Sequence, residues 1–66
     1  MVITLNGNTE LLEGETTLLQ LLTSRHIDPD TIVVEHNLEI VDRDAFHTVY
    51  LRDKDVIEIL RFVGGG

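Results

Sequence analysis

The chain closes with Gly64, Gly65 and Gly66, directly after the apolar run Val56-Ile57-Glu58-Ile59-Leu60-Arg61-Phe62-Val63. Consecutive glycines have no side chains to bury and the most backbone freedom to lose, so they add nothing to packing. What they offer is access. A chain end without Cβ atoms can thread a narrow enzyme channel, leaving its N–H and C=O groups open to a partner. The reactive group on this reading is the terminal carboxylate of Gly66, ionised at neutral pH because its reference pKa is about 3.3–3.7. An inert, frayed terminus is the bland alternative.

Other side chains compete poorly for a chemical role. His26, His36 and His47 lack the i,i+4 helical pair or compact cluster usual for catalytic zinc, and they read as surface residues. Ser24 has no identifiable base, and the Asp and Glu residues fall in turns or at alternating strand positions, so no convergent carboxylate pair emerges. Gly7 and Gly14 are separated turn glycines and form no phosphate-binding loop. Without cysteine, disulfides, thiolate metal sites and an internal persulfide are excluded, so any sulfur chemistry must draw on another protein.

Sixty-six residues suffice for one domain, since a chain this short buries only roughly 60% of its unfolded surface. A hydrophobic fraction of 42% is that of a globular protein, even with a net charge of -7. That charge disfavours nucleic acid and anionic membrane as partners and suits a protein with a basic docking surface, although acidic surfaces also serve solubility. No signal-like segment opens the chain and no apolar run approaches the ~20 residues that span a bilayer, so the expected location is the cytoplasm.

The elements that must position the chain end follow from the pattern. Val2–Leu5 is β-prone, Asn6-Gly7 supplies the positive-φ pair of a tight hairpin, and a second strand is expected through about Leu12. Thr17 with Gln20 three residues on reads as a capping box, and Leu18, Leu21 and Leu22 share one face of the helix it opens. Asp28-Pro29 predicts that this helix ends near Arg25 or His26. Residues 31–35 and 38–41 predict a second hairpin turning at His36-Asn37, followed by a break with one helical turn through Phe46. His47–Leu51 is expected to be extended, and Arg52-Asp53-Lys54-Asp55 to be a charged turn. In the last strand Ile57 and Ile59 face one way, and Glu58, Leu60 and Phe62 the other. This is an α+β order: one helix over one face of a sheet of four to five strands, its leucines against Ile3, Leu5, Ile57 and Ile59. Leu60, Phe62 and Val63, beside a tail without side chains, make a candidate docking patch.

The Asn-Gly hairpin, the Thr-capped leucine helix, Val34-x-x-Asn37-x-x-x-Val41, Asp55-Val56-Ile57-Glu58-Ile59 and the terminal glycines together resemble the ThiS family, the ubiquitin-like sulfur carriers of thiamine biosynthesis. The resemblance covers the whole chain. It implies a β-grasp fold with parallel first and last strands at the sheet centre, residues 1–63 as the domain and 64–66 as a flexible tail. It also implies a carrier rather than an enzyme. A ThiF-like adenylyltransferase, using ATP and Mg, activates the Gly66 carboxylate. Sulfur from a donating enzyme then displaces AMP, and a ThiG-like thiazole synthase receives sulfur from the resulting thiocarboxylate. Hydroxide is a poor leaving group and AMP a good one, which is why activation precedes sulfur attack. Gly66 is the attachment point, Gly65 keeps the approach narrow, and Gly64 departs in degree from a family pattern that needs only the final pair. The free carrier is expected to be monomeric, with no bound cofactor or metal. Carriers for molybdopterin or tRNA thiolation and ubiquitin-like protein modifiers share this chemistry and remain open at this point.

Overall fold

The computed structural model describes residues 1–62. Val63 of the candidate patch, Gly64, Gly65 and Gly66 lie outside the described residues. Among those described, the strands are β1 (Val2–Leu5), β2 (Asn8–Leu11), β3 (Ile32–His36), β4 (Glu39–Val41) and β5 (Val56–Arg61), with one α-helix, α1 (Leu18–Ser24). Short 3-10 turns cover Pro29–Thr31 and Arg43–Ala45. The sheet order is β2-β1-β5-β3-β4. β5 runs parallel to β1 and antiparallel to β3, so the last strand in sequence is central in space. One helix on a mixed sheet with this parallel central pair is the ubiquitin-like β-grasp arrangement. No described helix is long and apolar enough to cross a membrane.

Both hairpins turn on two residues of positive φ, Asn6-Gly7 and Asn37-Leu38. The second turn is shifted by one residue from the expected His36-Asn37, so β3 keeps His36. The core collects Leu18, Leu21 and Leu22 from α1, Ile3 from β1, Ile57 from β5, and Ile32 and Val34 from β3. Leu5 and Ile59, expected at its centre, pack against its margin.

The ends of α1 have different origins. At the start the capping box forms as expected: Gln20 N donates to Thr17 Oγ1 (3.1 Å), and Thr17 N donates to Gln20 Oε1 (2.8 Å). At the other end the predicted position holds but proline is not the cause. His26 takes φ 59°, its N–H donates to Thr23 O, and Ile27 N donates to Leu22 O. This is a Schellman motif that stops the helix before Pro29 is reached.

His47–Leu51 is not a strand. Thr48 N and Val49 N return to Ala45 O, which keeps the chain coiled past the 3-10 turn, and only Tyr50 forms an isolated bridge, to Thr17. The segment's carbonyls instead serve the helix. Leu18 N donates to Val49 O (2.8 Å) and Leu19 N to Phe46 O (3.0 Å), satisfying two N–H groups that the first helical turn cannot pair internally. Phe46 and Leu51 are buried in the process.

Candidate functional site

β5 is the strand that leads to the glycine tail, and its placement is set from both flanks. On the β3 side five residue pairs run from Ile32↔Arg61 to His36↔Ile57, and Phe62 N donates to Thr31 O beyond them (2.9 Å). On the β1 side pairing covers only Thr4↔Val56 and Leu5↔Ile57, because β1 turns away at Asn6. Asn6 then extends the ladder with its side chain: its N–H donates to Ile57 O (2.9 Å), and its Oδ1 accepts from Ile59 N (2.7 Å). Asn37 does the same at the other flank, donating N–H to Val56 O and accepting Val56 N at Oδ1, both at 2.8 Å. Asparagine suits both posts because it tolerates positive φ and carries an amide carbonyl one methylene beyond the backbone.

The start of β5 is pinned by a polar cluster that the sequence reading missed. Asp55 is only 7% exposed, and its carboxylate accepts from His36 Nε2 (2.7 Å), Asn37 Nδ2 (3.1 Å) and Arg52 N (2.8 Å). Burial alone pushes this carboxyl up. The hydrogen bonds from His36, Asn37 and the Arg52 amide, with the His36 charge, outweigh burial and leave it below its ordinary value. At neutral pH Asp55 is therefore an ionised acceptor facing His36 Nε2. His36 is thus a half-buried partner of Asp55 rather than a surface residue, whereas His26 and His47 are exposed. The one signal available was the motif asparagine, Asn37, next to His36, with an aspartate immediately before the last strand.

The two faces of β5 divide as the alternation predicts. Ile57 is buried, while Leu60 and Phe62 are exposed by 59% and 57% on the opposite face with Glu58. Neither Leu60 nor Phe62 folds back under a loop. The structure thus brings Leu60 and Phe62 to the end of the central strand, immediately before Val63 and the terminal glycines in sequence. Val63 and Gly64–Gly66 complete this site in sequence but lie outside the described residues.

The ThiS family model matches residues 3–66. The chain belongs to the ThiS family. Over 66 residues it is 41% identical to the sulfur carrier protein ThiS of Bacillus subtilis (strain 168), covering 98% of this chain and 100% of that protein. It is also 39% identical to a thiazole synthase of Magnetococcus marinus, where all of this chain matches only 20% of the longer protein. Among solved structures, the crystal structure of the thiamine biosynthesis protein ThiS from Geobacter metallireducens is similar with a TM-score of 0.86 at 32% identity, each chain covered in full. ThiS membership and the structural likeness confirm the family and the fold that the motifs implied.

Proposed function

We propose that this chain is a sulfur carrier of thiamine biosynthesis that acts through the carboxylate of Gly66. The reading is carried by the end-to-end similarity to a ThiS sulfur carrier, with the family match running through Gly66 itself. An adenylyltransferase binds ATP and Mg, and the Gly66 carboxylate attacks the α-phosphate, forming an acyl adenylate and releasing pyrophosphate. Hydrosulfide released by a donating enzyme then attacks the acyl carbon, AMP leaves with the carbon–oxygen bond electrons, and loss of the S–H proton leaves a thiocarboxylate. Thiazole synthase consumes that sulfur. The carrier is a cytoplasmic, monomeric co-substrate and not an enzyme.

Each residue near the chain end has a part in this cycle. Gly66 minimises crowding at the acyl carbon, while Gly64 and Gly65 let the terminus pass through a narrow channel. Ordering three residues costs on the order of 1–2 kcal/mol each, which hydrogen bonds from the partner must offset. Leu60, Phe62 and Val63 supply apolar contact beside the channel mouth. The test is the intact mass of the protein after incubation with ATP, Mg, the adenylyltransferase and a sulfur source. The expected change is replacement of one oxygen by sulfur, abolished when Gly66 is deleted. An unchanged mass with an enzyme that activates another ThiS protein in parallel refutes the reading.

A further inference from the structure

The parallel pairing of β1 with β5 separates the chain's amines from its terminus. Lys54 is the only lysine in the sequence. It stands two residues before β5, and its backbone N–H donates to Val2 O (2.6 Å), which sets it level with the start of β1. The amine of Met1 lies at that same end, since Thr4 is level with Val56, and it donates to Leu12 O (2.9 Å). Both amines therefore sit behind the start of β5, whereas the glycines follow its far end in sequence. The basic side chains at the far end are of another kind. Arg61 closes β5, and Arg43 is ion-paired with Asp30, two residues before the Ile32 that pairs with Arg61. Both are guanidinium groups, which stay protonated and make poor nucleophiles, whereas a lysine amine that loses its proton attacks acyl carbon readily.

We infer that this placement guards the activated chain against its own amines: the fold holds Lys54 and Met1 out of reach of the Gly66 acyl carbon, and arginine takes the basic positions nearest it. The inference rests on the carrier reading and deepens it, because an acyl adenylate is as open to an amine as to hydrosulfide. In that side reaction the amine nitrogen bonds to the Gly66 carbonyl carbon. The bond from that carbon to the AMP oxygen breaks, AMP leaves with the electron pair, and the amine gives up a proton. The product is an internal amide that accepts no sulfur. Reach decides whether it forms. Counted along the sheet, two steps from Val2 to Thr4 and six from Val56 to Phe62 separate Lys54 from Phe62 by about 26 Å. Residues 63–66 cover at most about 14 Å, even fully extended and turned straight back. About 12 Å remain, more than a lysine side chain spans. Unfolding removes the obstacle, because the ends of a flexible segment as short as residues 54–66 meet readily.

The test uses the full chain prepared with Gly66 as a thioester, an acyl donor that stands in for the adenylate and needs no partner enzyme. The chain has no cysteine to capture the acyl group first. Dilute protein is held at mildly alkaline pH and followed by intact mass and peptide mapping. Hydrolysis restores the free acid, whereas attack by an internal amine gives a species one water lighter, its amide mapped to Lys54, Met1 or position 61. Folded wild type is expected to return to the free acid. Its amide fraction should be at least about 10-fold below that of wild type in denaturing urea, because an attached group that cannot span the gap has an effective concentration near zero. Arg61→Lys, with its urea midpoint measured to verify folding, puts an amine within reach of the terminus and is expected to form the amide at position 61 while folded. Equal amide fractions in folded and unfolded wild type overturn the inference. So does folded Arg61→Lys that yields only free acid, and so does unfolded wild type without amide. These outcomes do not depend on sulfur gain, whereas a wild type that gains no sulfur with its adenylyltransferase overturns the carrier reading and leaves the amide result standing.

Discussion

Replacing Asp55 by alanine probes how β5 is held at its start. The substitution removes the acceptor shared by His36 Nε2, Asn37 Nδ2 and Arg52 N. Hydrogen bonds to a charged group contribute about 1.5–3 kcal/mol each. The full sum is not reached, because His36 and Asn37 lie near enough to solvent for water to replace part of what they lose, and the desolvation cost of the carboxylate vanishes with it. A net loss of about 2–3 kcal/mol is expected against a total stability of ~3–10 kcal/mol for a domain of this size. With a urea m-value near 1 kcal/mol/M, the unfolding midpoint falls by about 2–3 M, read by far-UV circular dichroism at neutral pH. The pH dependence supplies a second readout. The folded-state pKa of Asp55 is depressed from 3.8, so its contribution is complete above that value and is lost as pH falls through the lower folded value. The gap between wild type and Asp55→Ala should therefore narrow as pH falls through 3.8 and the lower folded value. A midpoint shift below about 0.5 M at neutral pH, or a gap constant into acid, refutes this account of the cluster.

Three further outcomes are expected, two from local geometry and one from the proposed role of the terminal glycines. Thr17→Ala removes the cap on Gln20 N and should cost about 1 kcal/mol in urea unfolding. His26→Gly, at φ 59° in the Schellman motif, should stabilise by about 0.5–1 kcal/mol, since relief of left-handed strain exceeds the added unfolded-state entropy. Gly65→Leu or Gly66→Leu should leave the urea midpoint unchanged and block ATP–pyrophosphate exchange with the adenylyltransferase; normal exchange in either variant contradicts the channel argument.

Legibility in the sequence followed the range of the interaction. The capping box, the positive-φ pair Asn6-Gly7 and the two faces of β5 were readable because each depends on residues within a few positions of one another, whereas the second hairpin turn was placed one residue early. The extended reading of His47–Leu51 failed for the opposite reason. Its β-prone residues lie in a segment whose carbonyls are taken by the distant N-terminus of α1, and propensity cannot see that demand. The helix end was placed correctly for the wrong reason, because a histidine in left-handed geometry is a weaker signal than a proline.

The sequence alone pointed to the ThiS family through the order of its motifs, and it put the proposed reactive group at Gly66. Tertiary structure decided how that end is carried. Only folding brings Asn6 and Asn37 to opposite flanks of β5, residues 53 and 19 positions from the amides they accept. Only folding sets His36 against Asp55 and Glu35 against Glu58. Side-chain neighbours across a sheet are fixed by strand order and register, and both depend on contacts between distant parts of the chain that must be satisfied together.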